Sequence, residues 1–101
     1  MIYENTSTFP REEMFGLTSQ MRRASVSISA NIAEGQARNS TREFIQFLGI
    51  AKGSLAELET LIILCRNLDL MNKENETSLL SSTAKINKML NGLQKSLRKR
   101  L

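Results

Sequence analysis

The chain has no histidine and no tryptophan, and only one cysteine and one proline among its 101 residues. Without histidine, the Ser–His and Cys–His pairs of covalent catalysis cannot be built. Zinc sites, which use cysteine and histidine, are not expected either. Cys65 alone allows no internal disulfide, which suits a reducing cytoplasm. These absences predict a cytoplasmic protein with no enzymatic activity, no metal and no cofactor.

Long apolar segments are also missing. Residues 1–10 are polar and lack the apolar stretch of a signal peptide. No apolar run approaches the roughly 18 residues that a membrane span requires. We therefore expect no contact with a membrane.

Carboxylates offer one further possibility for chemistry. Glu34, Glu43, Glu57 and Glu59 fall on or near the predicted central helices, and helical bundles can gather such groups around two metal ions. Those sites also use Glu-x-x-His motifs, which this chain lacks. An ion pair between Glu34 and Arg38, four residues apart in the favoured order, is the better interpretation.

Apolar residues recur at steps of three and four, which predicts amphipathic helices. The expected helices are a stub at about residues 1–8 and long helices at about 18–37, 41–68 and 73–99. Pro10 predicts the first turn of a short separate helix. Thr18, Ser40 and Asn72 are the expected N-caps, and Ser40 forms a capping box with Glu43.

Three long helices with short loops favour an all-α, up-down antiparallel four-helix bundle in which the stub is a shortened first helix. Residues 1–101 are expected to form this single domain. The predicted core consists of Leu17, Met21, Ala24, Ile28 and Ile32, then Phe44, Phe47, Leu48, Ala51, Leu55, Leu58, Ile62 and Cys65, then Leu79, Thr83, Ile86, Leu90, Leu93 and Leu97.

Small residues form a second row on two of the helices, opposite the large apolar residues. Glycine inside a helix costs about 1 kcal/mol relative to alanine, so two glycines four residues apart call for a packing reason. We predict a second interface, within the bundle or between copies; simple filling of the helix surface is the alternative. These small-residue rows are Val26, Ala30, Ala33 and Ala37, and Gly49, Gly53, Ala56 and Thr60.

Asn31 is a polar residue on the apolar side of its helix. A buried amide needs hydrogen-bond partners. We favour a hydrogen bond between helices that fixes their register, with a ligand contact as the alternative.

Basic residues exceed acidic ones by 14 to 10, which gives a net charge of +4. The segment 77–101 contains six cations and no acid. Phosphate backbones attract such arrays by counterion release. Aromatic content is only 5%, so stacking on bases is not expected. A solvated basic surface is the alternative to RNA or DNA binding, for which the candidates are Arg22, Arg23, Arg38, Lys95, Arg98, Lys99 and Arg100.

Several stretches together resemble a known family, the four-helix-bundle proteins encoded by intervening sequences in bacterial 23S ribosomal RNA genes. The resemblance implies an up-down four-helix bundle that assembles into a ring-like homopentamer. Proline is usual in that family where this chain has Ser29, and the family's first helix is longer than the stub. The stretches that carry the resemblance are 16–24, 31–35, 43–48, 53–60 and, more weakly, 90–93.

The family resemblance supplies no catalytic residues. A distant relative, the accessory protein of diversity-generating retroelements, is a basic pentamer that binds a reverse transcriptase and nucleic acid. Five copies of this chain would carry about +20 charges, enough for a strong field. The expected function is a non-catalytic oligomeric scaffold with backbone-directed RNA or DNA binding and no small-molecule substrate. The alternative is a protein-binding adaptor or purely structural oligomer without nucleic-acid affinity.

Overall fold

The computed structural model describes residues 11–101, with side chains from Met14 onward. This part of the chain contains three helices and no strand: α1 (Arg11–Ala37), α2 (Thr41–Asn67) and α3 (Lys73–Arg98). The predicted all-α class is therefore confirmed. Three helices are present where a four-helix bundle was expected, and the predicted stub at 1–8 lies outside the described residues.

The prediction for the start of α1 was wrong. The helix begins at Arg11 rather than at residue 18, and it includes the turn after Pro10 that was expected to be separate. Thr18 is not an N-cap, because its hydroxyl donates to the Met14 carbonyl oxygen at 2.9 Å inside the helix. A threonine that bonds its own preceding turn can stay within a helix.

The other predicted helix ends agree with the structure within one residue. Ser40 caps α2 by accepting a hydrogen bond from the Glu43 amide at 3.2 Å, and Asn72 caps α3 by accepting from the Asn75 amide at 2.7 Å. Each side-chain oxygen satisfies an amide that the first helical turn leaves free. The turn after α2 contains Asp69 at φ 60°, a left-handed conformation that aspartate tolerates.

Helix α2 is the centre of the described structure. Helices α1 and α3 both pack against it, but they do not contact each other. Leu48, Leu55 and Ile62 of α2 are at most 1% exposed and lie between the two outer helices. Because the turns are short, consecutive helices run antiparallel, so α1 and α3 point in the same direction.

Polar contacts across the helix pairs fix their register. The Ser27 and Ser54 hydroxyls are 2.8 Å apart, joining α1 to α2. Asn31 donates to the carbonyl oxygen and the hydroxyl of Ser27, at 2.8 and 3.0 Å, so the amide supports this contact from within α1. On the other side of α2, the Thr83 hydroxyl donates to the Glu59 carboxylate at 2.8 Å. The structural interpretation of Asn31 therefore accounts for its position.

The apolar row on α3 is only half used. Thr83, Leu90 and Leu97 are buried against α2, whereas Leu79, Ile86 and Leu93 remain 37–40% exposed. Both sets repeat every seven residues. The exposed set faces the side where α1 does not reach α3.

An open groove therefore runs between α1 and α3, with α2 as its floor. Its volume is about 790 Å³ and its lining is mainly apolar. The α1–α3 groove is lined by Met14, Leu17, Met21, Leu58, Ile62, Cys65, Leu79 and Ile86, with Arg22 the charged residue among the lining side chains.

Gly35 permits the closest approach of α1 to α2. A Cβ atom at this position would lie 2.7 Å from the Phe47 Cβ and 2.9 Å from the Phe44 Cδ1. Both distances are shorter than non-bonded carbon atoms tolerate. Glycine is thus required here by its neighbours, whereas a Cβ at Gly92 would meet nothing within 4 Å.

We predict that Gly35→Ala destabilises the fold by about 1–3 kcal/mol, the usual cost of inserting a methyl group into a packed contact. The matched control, Gly92→Ala, should stabilise it by up to about 1 kcal/mol, because alanine favours the helix and has room. Urea unfolding followed by circular dichroism measures both. Equal effects of the two substitutions would contradict the close α1–α2 contact.

Candidate nucleic-acid interface

The up-down topology brings the C-terminal end of α3 beside the N-terminal end of α2. The Gln94 side-chain amide donates to the Ile45 carbonyl oxygen at 3.2 Å, and Leu97 belongs to the same buried cluster as Leu48. The turn between α1 and α2 lies at this same end. The resulting basic end comprises Arg38, Arg42, Lys95, Arg98, Lys99 and Arg100, all of them exposed.

The charge is distributed unevenly along the rod. Near the basic end, the carboxylates among the described residues are Glu34 and Glu43. The opposite end, where α2 turns into α3, carries Asp69, Glu74 and Glu76. The rod therefore has a cationic end and an end with several carboxylates, although its net charge is only +4.

Arg38 is held in place by two contacts. Its guanidinium forms an ion pair with Glu34 at 3.2 Å, as predicted, and lies 5.1 Å from the centre of the Phe47 ring. Both contacts orient a side chain that remains 43% exposed. An exposed ion pair contributes little to stability, but a fixed guanidinium keeps its other N–H groups directed outward.

The seven predicted nucleic-acid-binding residues do not form one site. Arg38, Lys95, Arg98, Lys99 and Arg100 lie together at the basic end. Arg22 and Arg23 are exposed on the middle of α1, and Arg22 lies about 24 Å from Arg38 at 1.5 Å per residue along the helix. Arg42, which sequence reasoning grouped with the arginines without choosing it as a candidate, joins the basic end because it begins α2.

Both small-residue rows lie on exposed surfaces. All eight residues are solvent-exposed, and Val26 is 66% exposed. A Cβ at Gly53 would meet nothing within 4 Å, and one at Gly49 would reach only the Gln94 amide at an ordinary 3.7 Å. No described helix packs on these rows, so the predicted second interface is not made within this part of the chain. A contact between copies stays a prediction.

Other chemistry finds no support in the described residues. No three histidine, cysteine or acidic side chains among them are grouped so that they could hold a metal ion. None of the described helices is both long and apolar enough to cross a membrane. Cys65 is 6% exposed, with its Sγ 3.7 Å from the Met21 Sδ. Burial raises the pKa of the Cys65 thiol above its ordinary value, because the thiolate is poorly solvated there.

Comparison with known families agrees with the helical fold and with the motifs in the sequence. A family model described as the 23S rRNA-intervening sequence protein matches residues 1–92. The chain belongs to the 23S rRNA-intervening sequence protein family. The family match ends before Lys95, so the cations that follow on α3 lie beyond it.

A solved structure has the same arrangement of helices. It is a protein of unknown function from the S23 ribosomal protein family of Bacteroides thetaiotaomicron VPI-5482, with a TM-score of 0.79 and 26% sequence identity. The alignment covers 93% of this chain and 84% of that one. No curated protein matches the chain in sequence. The family and the fold are thus established, and neither comparison names an activity.

We predict that the contribution of Cys65 to stability decreases at alkaline pH. Its pKa is raised in the folded state, so the unfolded chain loses the thiol proton first as the pH rises, and the folded state then loses its advantage. The difference in unfolding free energy between the wild type and Cys65→Ala should be constant below the ordinary thiol pKa and shrink above it. A difference that stays constant up to about pH 10 would contradict a desolvated thiol.

Proposed function

We propose that this family member is a non-catalytic oligomeric scaffold of the cytoplasm whose basic end binds the phosphate backbone of RNA or DNA. The observation that carries the proposal is the gathering of six exposed cations at one end of the rod. Two carboxylates lie near them, and one of these already pairs with Arg38. Lysine and arginine side chains in such an array displace the counterions of a phosphate backbone.

The composition of the basic end favours contact with the backbone rather than with bases. Phe44 and Phe47 are the aromatic residues nearest to it, and both are half-buried between α1 and α2. No aromatic face is therefore presented there, among the described residues, for stacking on a base. Contacts from flexible lysine and arginine side chains to phosphates carry little sequence information, so binding should depend on salt far more than on sequence.

Assembly would multiply this charge. The two small-residue rows lie on different helices, each on the side facing away from the core, and they differ in shape. A contact between the α1 row of one copy and the α2 row of the next is heterologous, and such contacts form rings when the rotation closes. The family resemblance implies a homopentamer, in which cyclic symmetry would direct all five basic ends to the same side.

Exposed glycines support this use of the α2 row. Gly53 has no neighbour that would exclude a side chain, and Gly49 has only an ordinary contact, yet each costs about 1 kcal/mol in a helix. Ile50, Ile63 and Leu64 on the same helix are 40–52% exposed. Close approach of a second backbone would explain both the glycines and the exposed apolar side chains.

A protein-binding adaptor or purely structural oligomer is the second candidate. The exposed apolar side chains of α2 favour it, because they need a protein neighbour rather than a phosphate. This candidate predicts assembly without any salt-sensitive binding of nucleic acid. The following two predictions separate the two candidates.

We predict that replacing Lys95, Arg98, Lys99 and Arg100 together by glutamine abolishes most retention of RNA or DNA at low salt. Each lost phosphate contact should lower the slope of log affinity against log salt by about 0.7–0.9. Fluorescence anisotropy with a labelled duplex and a labelled single strand, at several salt concentrations, measures this slope.

The matched control removes the same number of charges elsewhere, by replacing Arg22, Arg23, Lys73 and Lys85 with glutamine. It should keep most of the binding, since these side chains lie away from the basic end. Equal losses in the two variants would show that only net charge matters. Unchanged binding in the first variant would sink the assignment of the site.

We predict that Gly53→Glu reduces the size of the assembly, because a charged side chain would separate two closely packed backbones. Ser81→Glu is the control, as it adds the same charge to an exposed position on α3 away from both rows. Sedimentation velocity reports the species present. An unchanged sedimentation profile for Gly53→Glu would exclude the α2 row from the interface between copies.

A further inference from the structure

The α1–α3 groove is an apolar surface with no partner among the described helices. Its floor contains Ile62 and Cys65, and its α3 wall exposes Leu79 and Ile86 by 40% and 37%. The groove is open along its length, so water would contact these side chains unless another segment covers them. Exposed apolar surface of this extent generally marks a binding site.

The position of the N-terminal segment points to the occupant. Residues 1–9 join α1 through Pro10, and Met14 and Leu17, within the next two turns of α1, line the groove. The segment therefore starts beside one end of the groove. Along α1 the groove lining extends from Met14 to Val26, about 18 Å at 1.5 Å per residue. Nine residues reach about 13 Å as a helix and about 30 Å when extended, so the segment can cover much of it.

The chemistry of the segment matches that of the groove. Met1, Ile2, Tyr3 and Phe9 are apolar or aromatic, and Glu4 is the single charged side chain between Met1 and Phe9. Arg22 is correspondingly the single charged side chain among the residues that line the groove. One carboxylate and one guanidinium can thus meet at the rim while the apolar side chains enter. Few other segments would offer both features at the required place.

We infer that residues 1–9 of the same chain bind in the α1–α3 groove, where Ile2 and Tyr3 cover the apolar floor and Glu4 faces Arg22. The segment thereby shields the Cys65 thiol and the exposed side of the α3 row from water. This inference does not depend on nucleic-acid binding or on the number of copies in the assembly.

The composition of the chain provides two natural probes. Tyr3 is the one tyrosine and there is no tryptophan, so ultraviolet emission reports on residue 3 alone. Cys65 is the one thiol, and it lines the groove. Acrylamide quenching should be several-fold weaker for Tyr3 in the full chain than in the synthetic peptide of residues 1–9. Quenching equal to that of the peptide would overturn the inference.

Substitutions in the groove link this protection to the proposed surface. Ile86→Ser changes a partly exposed position, so the fold should be retained, as circular dichroism would verify. It should shift Tyr3 quenching towards the peptide value, whereas Ser81→Ala, on another face of α3, should not. A chain lacking residues 1–9 should label Cys65 several-fold faster with a thiol reagent than the full chain. Equal labelling rates would overturn the shielding of Cys65.

A disulfide experiment tests whether the segment comes from the same chain. Ile2→Cys and Ser82→Cys are combined with Cys65→Ser, since Ser82 lies on the groove wall. After oxidation, a cross-linked product of monomer size supports the inference. A product of dimer size would show that a second copy provides the segment, and absence of any cross-link together with an unprotected Tyr3 would show that neither does.

Discussion

The structure depends on one contact surface, the row of large apolar side chains on α2. Leu48, Leu55 and Ile62 are almost completely buried because both other helices pack on them. Since α1 and α3 contact only α2, a change in this row affects both helix pairs together. The open groove, the partly exposed row on α3 and the exposed outer faces of α1 and α2 all follow from this arrangement, which leaves many apolar side chains in contact with water.

The same arrangement creates the charge distribution that underlies the proposed function. Short turns make successive helices antiparallel, so the end of α3 returns to the start of α2. Residues 38 and 42 on one side of the sequence and 95–100 on the other therefore meet in space. The modest net charge of +4 hides this separation. The charge of the basic end depends on topology rather than on composition.

Much of the fold could be predicted from local sequence signals. Ser40 and Asn72 are N-caps because their side chains accept from amides three residues later, a relation visible in the sequence alone. The start of α1 could not be predicted in this way, since Thr18 satisfies its hydroxyl within the helix. The role of Gly35 needed the positions of two phenylalanine side chains on α2. Likewise, the regularly spaced apolar row on α3 is divided into a buried set and a partly exposed set, because periodicity does not reveal where a neighbouring helix is absent.

The separation of Arg22 and Arg23 from the other predicted candidates has a similar origin. Residue type and charge identify cations, but only the path of the chain shows which of them share an end of the rod. The hydrogen bond from Gln94 to the α2 backbone anchors that end, and nothing in the sequence distinguishes Gln94 from an exposed glutamine. By contrast, the ion pair of Glu34 and Arg38 depends only on helical spacing, and it was predicted correctly.

The proposed scaffold rests on the idea that other copies cover apolar surface that one chain leaves exposed. The most direct test is the unfolding midpoint in urea as a function of protein concentration. A subunit stabilised by association unfolds at a higher midpoint as its concentration rises, by mass action, and we expect such an increase over about a thousand-fold concentration range. A constant midpoint, with light scattering giving the monomer mass throughout, would contradict the account.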